Sequence, residues 1–415
     1  MEKVILVGVE NQENFKNFME SMEELGNLTE TAEGLVVGEL IQKRQAIDRR
    51  TIVGKGKLEE LAALVASKDA DTVIFNHELT ARQARLIEEV VDVKVIDRVQ
   101  LILDIFAMRA KSKEGQLQVE LAQLNYLLPR LVGQGSSLSR LGGGIGTRGP
   151  GETKLETDRR HIRYKITLIK RELKESEEHR ERSRQKRKES SVFQIGLIGY
   201  TNAGKSTIMN LLTDTKTYAE DQLFATLDPL TKKWQLPEGL ETTLTDTVGF
   251  IQDLPTQLIE AFQSTLEESR SVDLLLHVVD STSDNRGQQE QTVVELLDEL
   301  KMAHIPVLTV YNKADKLDDR GQFVPTLYPN CLISAYEEAS KDILVDAITK
   351  QMKTLFIPFE MVLEAKDAYQ LTQMQQEVLI DFYEYQEENN TYFVKGYAPE
   401  KSKWIRGEKE DELEF

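Results

Sequence analysis

Cysteine is nearly absent from the chain. Cys331 alone, among 415 residues, can form neither an internal disulfide nor a Cys-based zinc site, which excludes a small disulfide-held secreted scaffold. Histidine is scarce as well: five are present, none in an HExxH pair, so a zincin-type metal centre is excluded. Two tryptophans, Trp234 and Trp404, are too few for a base-stacking platform. No apolar run approaches the roughly 18 residues that a membrane helix needs. Met1-Glu2-Lys3 before the short run Val4–Val9 is too acidic and too brief for a signal peptide. A reduced cytoplasmic location is therefore expected, peripheral to a membrane at most, and nothing points beyond a monomer.

What is present suits a folded chain: 40% hydrophobic and 29% charged residues. At about 100–200 residues per domain, the length predicts roughly two to four domains. The formal net charge of −18 argues against nucleic acid until its distribution is read. Residues 159–188 carry 13 Lys and Arg against 5 Asp and Glu. One basic segment thus sits inside an acidic protein, and the local field decides whether phosphate is attracted. A solvated helix laced with ion pairs is the plainer reading of such a run.

The pattern predicts an α/β chain in four parts: an N-terminal α/β domain (1–105), an antiparallel helical hairpin with a glycine-rich loop and basic linker (106–191), a doubly wound P-loop domain (192–357) and a small α+β C-terminal domain (358–415). In the first, strand patterns at Val4–Val9, Leu35–Ile41, Thr72–Phe75 and Val93–Ile96 alternate with helical spacing at Asn14–Leu25, Lys57–Ser67 and Thr80–Val91, as a largely parallel sheet requires. In the second, Leu117, Leu121, Leu124, Leu128 and Leu131 mark a long amphipathic helix over 105–131. Leu155, Ile162, Ile166, Ile169 and Leu173 mark its partner, and Lys174–Ser191 is a charged extension. Between them, Gly133–Gly151 holds 8 of the 24 glycines, too dense for helix or strand, and forms the hairpin tip. The third has strong strands at Phe193–Gly199, Leu240–Asp246, Leu274–Asp280, Val307–Asn312 and Cys331–Ser334. The last reads as strand Phe359–Glu364, helix Tyr369–Tyr385, strand Thr391–Tyr397 and a solubilising acidic tail, Glu408–Phe415.

The chemistry lies at strand ends, where doubly wound sheets bind ligands. Gly199, Tyr200, Thr201, Asn202, Ala203, Gly204, Lys205 and Ser206 spell GxxxxGKS after an apolar strand, with Thr207 opening a helix. Unpaired amides and the helix dipole favour an anion there, Lys205 reaches β- and γ-phosphates, and Ser206 ligates Mg²⁺. Asp246, Thr247, Val248 and Gly249 form DxxG; the carboxylate can hold Mg²⁺ through water and the Gly249 amide can meet a γ-phosphate. Asn312, Lys313, Ala314 and Asp315 form NKxD. A carboxylate at Asp315 can accept both N1–H and the exocyclic amine of guanine, a pair that adenine cannot donate. Ser334, Ala335 and Tyr336 follow the next strand, where backbone N–H groups can meet the guanine oxygen. Asn312 and Lys313 brace the loop and cover the base. Thr226, within Phe224, Ala225, Thr226, Leu227 and Asp228, stands where a GTP switch needs a threonine that coordinates Mg²⁺ and senses the γ-phosphate.

In this order the boxes imply a translation-factor-like GTPase, with Lys205, Thr226 and Gly249 as catalytic groups and Mg²⁺ as cofactor. Phe250 follows DxxG where a glutamine could orient the attacking water, so slow intrinsic hydrolysis is expected. Two other patterns are decoys. Gly144 through Gly149 matches GxGxxG without a preceding strand. His277 lies on a buried strand and reads as a core residue.

The stretch from Gly142 to Arg160 resembles the signature of the HflX family of ribosome-associated GTPases. Val53–Leu61, Ile96–Arg98 with Leu101–Phe106, Gln118–Gln123, Phe224–Asp228 and Asp246–Phe250 are similar to that family too. The resemblance covers residues 1 to about 357; the C-terminal segment matches in length and pattern. It implies binding to the large ribosomal subunit and separation of the subunits, particularly under stress, with the glycine-rich loop inserted toward the peptidyl-transferase region. Arg140, Gly142, Gly143, Gly144, Arg148, Lys154, Arg159 and Arg160 would then face RNA, where glycines permit close approach and cations pair with phosphates. Some family members bind ATP through the N-terminal domain; no P-loop lies there, and Gly54-Lys55-Gly56 before a helix is the candidate. A signalling GTPase with protein partners alone is the alternative, and a structural RNA-binding protein with a vestigial site is disfavoured by the complete set of boxes.

Overall fold

The structure is a computed structural model and describes residues 1–12, 14–131, 150–189, 192–213, 224, 229–246, 249–251, 270 and 272–405. The chain divides into two units, residues 1–178 with 221–228 and 252–263, and the remainder.

In the first unit, strands β1 (Lys3–Glu10), β2 (Leu35–Lys43), β3 (Thr72–Phe75) and β4 (Lys94–Asp97) alternate with helices α1 (Phe18–Thr31), α2 (Lys55–Lys68) and α3 (Ala81–Val91). The sheet is wholly parallel in the order β2-β1-β3-β4. Its strands carry apolar residues on both faces, as helices covering both sides demand; Ile5, Val7, Val73 and Phe75 are buried on one face and Leu6 and Ile74 on the other. Thr80 caps α3 through a reciprocal capping box with Gln83.

The long helix expected over 105–131 is two helices, α4 (Arg98–Arg109) and α5 (Lys113–Arg130). The apolar period runs through the junction, but Ser112 accepts from the Gly115 amide and starts a new helix, with Ala110 in an extended conformation. Helix α6 (Pro150–Glu189) lies antiparallel to α5: Lys113 pairs with Glu172, Lys165 with Glu120, and Ser176 donates to Glu114. Pro150 opens α6, so the segment expected as loop through Gly151 is already helical there; proline suits a first helical turn, whose N–H groups have no partner. The charged extension is helix as far as Glu189.

In the second unit a six-stranded sheet has the order β10-β9-β8-β5-β7-β6. Its strands are β5 (Phe193–Gly199), β6 (Leu230–Gln235), β7 (Glu241–Asp246), β8 (Leu274–Asp280), β9 (Val307–Asn312) and β10 (Asn330–Leu332), all parallel except β6. Helices α7 (Lys205–Thr213), α8 (Arg286–Glu299) and α9 (Ala339–Leu355) accompany it. Leu197, Ile208, Leu244, Leu276, Val310 and Leu344 share its core.

The C-terminal sheet is antiparallel in the order β11-β13-β12, built from β11 (Ile357–Glu364), β12 (Leu379–Gln386) and β13 (Thr391–Ala398). The helix expected over Tyr369–Tyr385 stops at Glu377 as α10 (Tyr369–Glu377), and the remainder is β12. Pairing with β13 wins because this half is rich in aromatic and branched side chains, and Tyr385 stacks on Tyr392 at 5.0 Å across the strands. No helix among the described residues is long and apolar enough to cross a membrane.

Candidate functional site

The site is built where β5, β7, β8 and β9 end. Strand β5 runs into the loop of Gly199–Ser206, and α7 begins at Lys205. Two positions in the loop need glycine. A Cβ on Gly199 would come 2.2 Å from the Val278 carbonyl, and Gly204 holds φ +98, where a Cβ would lie 2.2 Å from Asn312 Nδ2. Asn202 also holds a left-handed conformation, φ +59. The loop is closed against the segment after DxxG: Thr201 N donates to Phe250 O at 2.7 Å, and Phe250 N donates to Gly199 O at 3.1 Å.

Lys205 is buried and donates to the carbonyls of Gly199 (3.1 Å) and Tyr200 (2.9 Å). Burial lowers its ammonium to about 8, against the pull of Asp246 in the other direction. A Cβ on Gly249 would stand 2.9 Å from Lys205 Nζ, so this glycine leaves the space in front of the lysine open. Ser206 Oγ donates to Asp246 Oδ2 at 2.7 Å. Two hard oxygen groups side by side at a helix N-terminus are a donor set that suits Mg²⁺. Thr207 follows within α7. Phe250 is buried, so its side chain packs in the interior and not toward solvent.

The NKxD box and the Ser334–Ala335 loop meet at Asn312. Its Nδ2 donates to Ala203 O and its Oδ1 accepts from Ala335 N, both at 2.9 Å, tying the P-loop to the loop after β10. Asp315 is exposed, with Oδ1 accepting from Ser334 Oγ at 2.5 Å. The Ser334 amide donates to Ser340 Oγ, so the Ser334 and Ala335 amides brace the loop in this structure. Ala314 is buried and Tyr336 stands 80% exposed. Lys313 holds a left-handed φ of +63, and its Nζ lies 2.8 Å from Asp280 Oδ2. Sequence reasoning missed Asp280; its only signal is its place at the end of a strong strand.

Phe224, expected among the phosphate-binding residues, packs its ring edge-to-face on Phe106 at 4.6 Å and is buried in the first unit. Ala225, Thr226, Leu227, Asp228, Thr247 and Val248 lie outside the described residues, as do Arg140, Gly142, Gly143, Gly144, Arg148, the GxGxxG decoy and the acidic tail. Lys154, Arg159 and Arg160 fall on α6, with Arg160 exposed and Arg159 half-buried. His277 is buried, and burial with the nearby Lys205 charge lowers it to about 4, which keeps it neutral in the core.

Comparison with known proteins gives three consecutive family matches. Residues 19–107 match a model described as GTP-binding GTPase N-terminal, 109–187 one described as GTP-binding GTPase Middle Region, and 194–313 one described as 50S ribosome-binding GTPase. The GTPase HflX of Alkalihalophilus pseudofirmus is 50% identical over 401 residues, covering 96% of this chain and 94% of that protein. The GTPase HflX of Escherichia coli strain K12 is 46% identical over 301 residues, 72% of this chain and 71% of that one. A crystal structure of a GTP-binding protein from the archaeon Sulfolobus solfataricus with GDP is 24% identical, with a TM-score of 0.44, over 84% of this chain and 98% of that one.

Proposed function

The chain belongs to the HflX family of GTPases, and on that premise we propose that its GTP cycle acts on the large ribosomal subunit, separating or rescuing ribosomes. The observation that carries this reading is the match of residues 194–313 to a 50S ribosome-binding GTPase model. The strongly basic stretch 159–188 on α6 supports it, since phosphate-rich RNA is the partner that such a stretch attracts. The chain works as a cytoplasmic monomer in four parts, 1–105, 106–191, 192–357 and 358–415, with the residues around 133–151 reaching RNA.

Each box has its task in the nucleotide site. The amides of Gly199–Ser206 wrap the phosphates, and Lys205 exchanges its two carbonyl partners for β- and γ-phosphate oxygens. Ser206, Thr226 and, through water, Asp246 would hold Mg²⁺, which would supply neutralisation of the phosphate charge. Gly249 gives its amide to the γ-phosphate, and Asp315 reads the guanine edge. GTP holds the segments around Thr226 and Asp246–Phe250 in the arrangement that binds the large subunit, and hydrolysis releases it. Phe250 supplies no polar group to the attacking water, so the ribosome completes the catalytic site.

Co-sedimentation with purified large subunits tests this reading. Association with a non-hydrolysable GTP analogue, weaker with GDP and lost as salt rises, is the expected result. No association in either nucleotide state removes the ribosome and leaves a GTPase acting on proteins.

A further inference from the structure

The guanine-side loop holds one contact that none of the motifs explains. Asp280, the last residue of β8, stands opposite Asn312 of β9 in the parallel ladder, and its carboxylate is divided between two partners. Oδ1 accepts from both the backbone N–H (3.0 Å) and the hydroxyl (2.7 Å) of Thr282. Oδ2 is left for the Lys313 ammonium at 2.8 Å. The pair is mostly shielded, the lysine side chain 16% and the aspartate 21% exposed. Burial raises the Asp280 carboxyl, but hydrogen bonds from Lys313 and Thr282 outweigh it and hold the group below the usual carboxylate range.

Lys313 is constrained from both ends. Its backbone sits in the left-handed region at φ +63, a conformation that disfavours a side chain with a Cβ. Its tip is fixed on Asp280. The four-carbon stem between them therefore keeps one course, where a free lysine would sample many rotamers.

We propose that Asp280, itself fixed by Thr282, is a positioning residue for guanine-nucleotide binding, holding Lys313 so that its stem is preset as the cover of the base. This rests on the assignment of NKxD to guanine. It goes beyond that assignment by giving base affinity a residue outside the four boxes. Asp280 acts through Lys313 and touches no nucleotide atom.

A double-mutant cycle separates this from a structural role. GDP affinity is measured for the full chain, for Asp280→Asn, for Lys313→Ala and for the two combined, with thermal melting alongside. Freeing the lysine stem should weaken GDP by about tenfold in Asp280→Asn, the size of one side chain's ordering entropy. In the Lys313→Ala background the same Asp280 change should then weaken GDP no further. Thr282→Val should give an intermediate loss. Equal losses in both backgrounds, or an unchanged affinity in Asp280→Asn, overturn the proposal. Asp315→Asn serves as the independent check on the guanine reading, because the amide donates where the carboxylate accepts and should shift preference from GTP to XTP. Failure of that shift removes the guanine assignment itself, whereas a shift with an additive cycle removes only the role of Asp280.

Discussion

Gly204 and Asn312 are in such close contact that a Cβ on the glycine would lie 2.2 Å from the asparagine Nδ2. The same Asn312 amide donates to Ala203 O, so the Gly199–Ser206 loop and the NKxD loop are tied to each other. Gly204→Ala meets both this clash and a φ of +98, a conformation costing about 1–3 kcal/mol in a residue with a side chain. As the loop relaxes out of this conformation, nucleotide affinity should fall about five- to 140-fold by titration calorimetry, since 1.4 kcal/mol is a factor of ten. Gly26→Ala in α1, where the new Cβ would come no nearer than 3.8 Å to any atom, should leave it unchanged.

Lys205 makes nucleotide binding a proton-linked event. Without nucleotide, burial lowers its ammonium from the ordinary 10.5 to about 8. Phosphate oxygens stabilise the charged form and raise it again. Binding at about pH 9 should therefore take up close to one proton, and binding at about pH 7 almost none. Calorimetry in buffers of different ionisation enthalpy reads this directly, and affinity should decline as pH rises above 8. The nucleotide-free protein shows the opposite sign in stability. Between about 8 and 10.5 the unfolded chain carries a proton that the folded one lacks, so this lysine's contribution rises with pH through that window. Equal proton uptake at both pH values would sink the assignment.

Phe250 invites a simple repair that the structure says will fail. Its side chain is buried and its backbone is paired with Gly199 and Thr201. Phe250→Gln would bury an amide rather than offer one to water, at a cost of about 1–3 kcal/mol for the unpaired polar group. The expected outcome is a lower melting temperature with no gain in intrinsic phosphate release. A clear gain in rate would show that the side chain at 250 does reach the attacking water.

Asp97 is the counterpart of this organisation in the first unit. The fully buried carboxylate accepts from Gln100 N, Leu79 N, Tyr126 OH and Arg130 Nη2, all between 2.8 and 2.9 Å. Arg130 also lies over the Tyr126 ring, 3.3 Å from its centroid. One side chain thus fastens the C-terminal end of α5 to the end of β4. Asp97→Ala should destabilise this region by about 3–5 kcal/mol, as breaking a buried pair does. Arg130→Ala leaves three donors on the carboxylate and should cost less, about 1–3 kcal/mol. Hydrogen exchange over residues 72–130 measures both. Equal protection in the two variants would contradict this ordering.

The GxxxxGKS, DxxG and NKxD boxes were legible in the sequence because the chemistry proposed for them needs fixed residue types at fixed spacing, whatever packs around them. Strands β5, β8 and β9 were legible because both faces are apolar, and they have the bounds the pattern implies. Strand β6 escaped because an edge strand can be polar; Lys232 and Lys233 lie in it and only Trp234 is buried. Strand β12 was hidden because Leu379–Tyr385 continues the spacing of α10, and only its pairing with β13 separates the two. Asp280 was illegible because nothing in local sequence says that the ends of β8 and β9 are neighbours. The burial of Phe224 on Phe106, far apart along the chain, is equally a product of tertiary packing.

The rate of GTP hydrolysis with and without purified large ribosomal subunits, repeated at raised salt, is the most direct test of a GTP cycle that works on the ribosome. Slow hydrolysis by the protein alone, strongly stimulated by the subunit and fading as salt rises, is the result expected of a site whose Phe250 offers nothing to water and whose α6 carries the basic stretch. A rate that is the same with and without the subunit at low salt would contradict it.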